Sequence, residues 1–322
     1  MSVSVDDRYR GAHGIGRYAD EVLSRLRLPW RPLGLGGSPH SAVDAFRRLP
    51  VPARGDVVYS PGYGALLGSR LQILTVHDLI HLRTRFPQRL QFLAYYHGPV
   101  RAAVRRAGVV LTVSETSAQD IREWIRDDRV RVVNAGNGCS AAFTVEGPAV
   151  ESTEPYALFV GNTRRHKNLD VVLRALRLAP GVRLRAVVPR AEQDAVARRA
   201  ADLGVDARVE WVHGVDDVAL AALYRGAAIT VMPSLDEGFG LPALESISCG
   251  TPVLHWRGCP SVAEIVGDRG QALCSGMDAE EWADAMTVAV AAGRRVDPPA
   301  GYDWDRTAGI VSDVLEDAVG SR

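Results

Sequence analysis

Short apolar runs alternate with longer stretches of helical period along most of this chain. "SVSV" (2–5) alternates as a first strand does, the glycine loop "DDRYRGAHGIG" follows, and "RYADEVLSRL" carries helical period. Residues 31–55 read as loop with one short helix. "DVVYS" (56–60), "LQILTV" (71–76), "VVLTVS" (109–114) and "VRVVN" (130–134) are strand-like, and "ETSAQDIREWI" is helical. "LQFLAYYHGPVRAAVRRA" is helical with a break at Gly98-Pro99. Polar, proline-containing residues 140–155 read as a linker. The alternation then resumes: "YALFVG", "RLRAVVP", "RVEWVHG", "AITVMP" and "TPVLHW" as strands, with "LDVVLRALRL", "AEQDAVARRAADLG", "VALAALYRG" and "ALESISCG" as helices. Strands alternating with helices on both sides of a linker predict two α/β domains with parallel sheets. The expected bounds are 1–152 and 153–304, with the last helix, about 305–322, rejoining the first domain.

In open α/β sheets, ligands bind at the carboxyl ends of strands. The loops 7–16, 77–78, 161–168 and 235–241 all fall at such ends, so the two domains are expected to face each other across a cleft. The richest stretch is "SLDEGFGLPALES" (234–246), a glycine loop between a buried strand and a helix opened by Pro242. Gly238 and Gly240 permit close backbone approach, and the N–H groups of residues 238–241 converge at a positive helix end. Glu237 stands at the loop's start and Glu245 in the first helical turn. The bland alternative is a glycine turn with Glu245 complementing the helix end.

Composition sharpens this picture. Hydrophobic content of 47% and charged content of 24% suit a globular chain of 322 residues that builds full cores. No apolar run is long enough to span a bilayer, and the first residues lack a signal-peptide pattern. Cys139, Cys249, Cys259 and Cys274 are not paired at metal-site spacing, and a reducing cytoplasm is expected, at the inner face of the membrane if the chain meets one. Net charge is zero, but residues 1–150 hold 20 Lys/Arg against 13 Asp/Glu, and residues 151–322 hold 18 against 25. Arg83, Arg85, Arg89, Arg101, Arg105 and Arg106 form an acid-free stretch that reads equally as a surface for an anionic acceptor or membrane headgroups, or as a solvated helix face. Of 38 basic residues, Lys167 is the single lysine. It lies in "GNTRRHKN" beside Arg164, Arg165 and His166, and a compact ammonium there suits a diphosphate.

"GNTRRHKNL", "LYRGAAITVMPSLDEGFGLPALESISCGTPVL" and "GAHGIGRYADEVL" together resemble the family 4 retaining glycosyltransferases of the GT-B fold, and the likeness covers nearly the whole chain. The resemblance implies two Rossmann-like domains. It implies that Glu237 and Glu245 are the Glu-x7-Glu motif, with Glu237 on the donor sugar and Glu245 on the ribose. Lys167 matches the pyrophosphate lysine and Arg164 a second basic position; His77, with Asp78, matches the His-Asp pair; and Gly14, Gly16 and Arg17 match the first glycine loop. The catalytic set is then His77, Lys167 and Glu237. The donor-binding set is Gly14, Gly16, Arg164, Lys167, Glu237, Gly238, Phe239, Gly240, Leu241 and Glu245. The base is expected near His213-Gly214 and Pro189-Arg190. Residues 31–55 are short for the family, and that region helps to shape the acceptor site.

Three other motifs point elsewhere and are set aside. "GIGRYA" matches a nicotinamide dinucleotide fingerprint but lacks the second strand ending in an acid. "HDLIH" departs from the zinc-protease motif in having Asp and following a strand. "DWD" (303–305) is better read as a helix N-cap than as a metal motif. The expectation is a retaining, metal-independent hexosyltransferase without cofactor. It would move a sugar from a nucleotide-diphosphate sugar to a glycan, lipid-linked or small-molecule acceptor hydroxyl, with no nucleic-acid partner. The alternatives are a non-catalytic nucleotide-sugar sensor or subunit, and a sugar phosphorylase.

Overall fold

The computed structural model describes residues 3–11, 14–37, 39, 57–66, 71–83 and 89–320. The short helix expected within 31–55 falls largely outside them, as does Arg85. The chain forms two units: residues 1–138 with 302–322, and residues 139–301.

In the first unit, the strands β1 (Val3–Val5), β2 (Trp30–Pro32), β3 (Val57–Ser60) and β4 (Gln72–Leu74) make a parallel sheet in the order β2-β1-β3-β4. β5 (Val109–Thr112) and β6 (Arg131–Asn134) also pair in parallel. A parallel bridge from Thr75 to Leu111 brings the two pieces together. β2 lies in the stretch read as loop; it is three residues long and ends in proline, too short for its period to register. The helix α1 (Gly14–Leu23) packs against α12 (Trp304–Gly320), which places the C-terminal helix in this unit.

The Gly98-Pro99 break does not occur. Helix α3 (Arg89–Tyr95) passes into α4 (Arg101–Ala107) through a π turn at 96–100 that contains both residues. The wider turn takes up the proline ring and its missing N–H without ending the helix. Helix α5 (Glu115–Ile125) opens at Ser114, whose hydroxyl accepts from the Ser117 N–H at 3.0 Å.

The second unit holds one six-stranded parallel sheet of β7 (Tyr156–Val160), β8 (Arg183–Val187), β9 (Val209–Val212), β10 (Ile229–Met232), β11 (Val253–Trp256) and β12 (Gly270–Leu273). Their order is β12-β11-β10-β7-β8-β9. This is the doubly wound order, and the strand sequence reverses between β7 and β10. Helices α6 (Leu169–Leu178) and α11 (Ala279–Ala292) pack together in one core with Phe159, Val231 and the fully buried Trp282. Helix α8 (Asp217–Gly226) belongs to a second core with Leu158, Tyr156 and Cys249. Sheet strands covered on both faces explain the continuous apolar runs in the sequence.

Residues 139–152, read as the end of the first domain and part of a linker, instead coat the second unit. Phe143 packs with Tyr156 and Tyr224, and the Val150 N–H donates to Ala222 O at 2.9 Å. The Arg225 guanidinium donates to Pro148 O at 2.7 Å and Thr144 O at 3.0 Å. At the other boundary, Asp303 Oδ1 accepts from the Asp305 N–H at 2.9 Å and caps α12, as "DWD" suggested.

Candidate functional site

The reversal of strand order between β7 and β10 sets two loops side by side at the carboxyl edge of the second sheet. One runs from Gly161 to Asn168; the other runs from Pro233 to Gly240, where α9 (Leu241–Ser248) begins. They are joined in three ways. Leu235 N–H donates to His166 O at 2.7 Å. Asn168 holds a left-handed backbone (φ +55°), tolerable for Asn, and its side chain donates to Pro233 O at 3.1 Å and Gly276 O at 2.6 Å. Lys167 Nζ donates to Glu237 Oε1 at 2.6 Å, with side chains 15% and 10% exposed. A pair so sheltered fixes both ends with much less solvent screening than a surface pair has.

Each loop has a further anchor that the sequence reading did not name. Thr163 donates from both its N–H and its hydroxyl to Glu192 Oε2, at 2.6 and 2.8 Å. Glu192 stands in the first turn of α7 (Arg190–Asp202). The Ser261 hydroxyl donates to Glu237 O at 2.8 Å. Gly240, at φ +111°, would place a Cβ 3.2 Å from Val262 and 3.3 Å from Met232, so glycine is required where the loop turns into α9.

The motif residues divide into backbone and side-chain roles. Gly238, Phe239 and Gly240 are buried, and Phe239 is 7% exposed, so what this stretch can present is chiefly main chain. Leu241 is the first residue of α9 and Pro242 the second. Glu245 lies in the second turn of α9, not the first, and it is not a helix-end complement. It is 5% exposed, and its Oε2 accepts from the Tyr224 hydroxyl at 3.0 Å. Tyr224 had no sequence signal beyond its place in an apolar helix.

Arg164 is exposed, and its N–H donates to Asn162 Oδ1 at 3.1 Å. Burial lowers the His166 imidazole below its ordinary value, against an opposing pull from Glu237. The expected base-side residues meet through Gln193: Arg190 Nη1 donates to its Oε1 at 3.0 Å, and its Nε2 lies 3.0 Å from His213 Nδ1. Burial, with the Glu237 carboxylate second, pushes the Cys259 thiol up to about 12, which keeps it protonated and a poor nucleophile.

Gly14, Gly16, His77 and Asp78 belong to the first unit. Gly14 opens α1, and a Cβ on Gly16 would lie 2.2 Å from Gly11 O, so glycine is what lets the loop close on its own helix. His77 is buried; its Nε2 donates to Pro61 O at 2.9 Å, and the edge of Tyr18 packs on its ring. Asp78 Oδ1 accepts from Ile80 N–H at 3.0 Å. Three arginines of the basic stretch are engaged within their own unit: Arg83 pairs with Asp120 at 2.6 Å, and Arg101 and Arg105 donate to Ile125 O at the end of α5. Cations at a helix C-terminus are stabilising in themselves. Among the described residues, no group of three or more His, Cys, Asp or Glu is placed to hold a metal ion, and no helix is long and apolar enough to cross a membrane.

Residues 144–294 match the family model described as "Glycosyl transferases group 1". The chain is 37% identical over 165 residues to a D-inositol 3-phosphate glycosyltransferase of Mycolicibacterium paratuberculosis, covering 46% of this chain and 37% of that protein. It is 29% identical over 233 residues to the O-antigen chain mannosyltransferase B of Escherichia coli, covering 67% of this chain and 60% of that protein. The chain thus spans less than two thirds of these relatives. Among solved structures, it resembles the sucrose-phosphate synthase of Thermosynechococcus elongatus, with TM-score 0.69 and 19% identity over 100% of this chain and 94% of the other. It also resembles Anabaena HepE, solved with UDP and glucose, with TM-score 0.66 and 15% identity over 99% of this chain and 94% of the other. The fold is GT-B: two α/β domains, each built on parallel strands.

Proposed function

We propose that the chain is a retaining glycosyltransferase that moves a hexose-type sugar from a nucleotide-diphosphate sugar to an acceptor hydroxyl. The observation that carries this reading is the placement of Lys167 against Glu237 at the switch point of the doubly wound sheet. A diphosphate needs compact positive charge, and Lys167 supplies it beside the N-terminal end of α9. Glu237, on the same ammonium, is within reach of a sugar attached to that diphosphate. The ribose diol is assigned to Glu245, whose Oε2 accepts from the Tyr224 hydroxyl.

The chemistry follows from charge. As the glycosidic bond breaks, the leaving diphosphate gains negative charge. Lys167, Arg164 and the main chain of residues 238–241 oppose it, which favours the transition state over the bound substrate. These groups neutralise the diphosphate without a divalent metal. The two carboxylates are assigned to sugar and ribose, and burial keeps the Cys259 thiol protonated. As the resemblance to the retaining family implies, the leaving phosphate takes the acceptor proton while the acceptor attacks on the same face.

The mannosyltransferase among the relatives, 29% identical, supports a hexose donor. The acceptor is a sugar, lipid-linked or small-molecule hydroxyl met in the cytoplasm. The internal bonding of Arg83, Arg101 and Arg105 supports a structural role for these three arginines. The test is release of nucleoside diphosphate from a panel of UDP-, GDP- and dTDP-sugars mixed with sugar acceptors. Turnover with one donor supports the reading; donor binding without turnover supports a nucleotide-sugar sensor instead.

A further inference from the structure

We infer that the Lys167–Glu237 ion pair discriminates against a bare nucleoside diphosphate and in favour of one that still carries its sugar. The inference rests on the donor reading above. In the unliganded chain, the single lysine is already committed to a carboxylate at 2.6 Å. Glu237 has little freedom to withdraw. Its carbonyl is held by Ser261, and its loop is tied to the lysine's loop through His166 O and the Asn168 side chain. Burial lowers the neighbouring His166 imidazole, against the opposing pull of Glu237.

A diphosphate that docks on Lys167 Nζ therefore arrives beside a fixed, sheltered carboxylate. When a sugar is attached, its hydroxyls donate to Glu237 and replace the hydrogen bonds that the ammonium gave up. When it is not, the terminal phosphate bears more negative charge and faces Glu237 with no donor between them. Like charges in a partly desolvated site repel strongly. Glu237 thus weakens the leaving product more than the incoming donor, and the spent diphosphate departs. Glu237 is on this account a specificity residue as well as a sugar contact.

Calorimetric titration of the full chain with UDP, GDP, UDP-glucose and GDP-mannose tests this in wild type, Glu237→Gln and Glu237→Asp. The expected result is that Glu237→Gln tightens the bare diphosphate about tenfold, equivalent to roughly 1.4 kcal/mol, without tightening the sugar ester. Glu237→Asp, which keeps the charge, should stay near the wild-type ratio. Glu237→Ala, melted alongside to check folding, must move in the same direction as Glu237→Gln. Unchanged or weaker diphosphate binding in both uncharged variants overturns the inference and leaves the donor reading standing. If none of the four nucleotides binds the wild-type chain, the same titration with dTDP and dTDP-glucose decides: binding there carries the comparison over to that pair, and no binding ends the donor reading and the inference with it.

Discussion

The Tyr224 hydroxyl on α8 donates to Oε2 of Glu245 on α9 across 3.0 Å, and both side chains are buried. Burial, with the Glu245 charge second, raises the phenol well above its ordinary value. Tyr224 therefore remains a donor at any working pH and fixes the direction in which the carboxylate presents its oxygens. Tyr224→Phe should cost about 1–3 kcal/mol of stability, because it leaves a buried carboxylate short of a donor. Urea unfolding measures that cost. In steady-state kinetics, the KM for the nucleotide sugar should rise by a larger factor than kcat falls.

Lys167→Ala should lower turnover by roughly 10²–10³-fold, the usual effect of removing one fixed group that meets developing charge. The melting temperature should also fall, because the sheltered Glu237 carboxylate loses the ammonium bonded to it at 2.6 Å. A rate assay at saturating donor, paired with a thermal melt, checks both.

Much of this was legible beforehand, and the reasons are specific. Helices α5 and α6 occupy the residues their period marks out, because each has one apolar face and a sharp start. The approach of Lys167 to Glu237 follows from two loops at strand ends that the doubly wound order makes neighbours. The π turn at 96–100 was hidden because Gly-Pro signals a stop in most helices and is absorbed only by a local widening. β2 was hidden by its three-residue length, and the packing of 139–152 on the second unit by its polar composition. Tyr224, Glu192 and Ser261 were illegible because their roles depend on partners 21, 29 and 24 residues away in sequence.

Gly16→Ala tests the closure of the first glycine loop. The added methyl would lie 2.2 Å from Gly11 O, a backbone atom that cannot swing aside as a side chain does. Such overpacking should destabilise the first unit by about 1–3 kcal/mol, visible as an earlier transition in differential scanning calorimetry.

His81 gives the first unit a pH dependence. Burial, with the Arg83 charge second, lowers its imidazole from 6.5 to about 4. Between those values the unfolded chain takes up a proton that the folded chain refuses, so stability falls as pH drops through this window. From pH 6.5 to pH 5 the loss should be about 2 kcal/mol. Denaturant unfolding at pH 7 and pH 5 measures it, and His81→Phe, beside Phe92 and Tyr96, should remove that part of the slope.

A crystal structure of the chain with a bound nucleoside diphosphate bears most directly on where the phosphates sit. The account predicts a phosphate oxygen about 2.8 Å from Lys167 Nζ, with the ribose hydroxyls on Glu245. A nucleotide whose phosphates lie elsewhere, with Lys167 still bonded to Glu237, would contradict it.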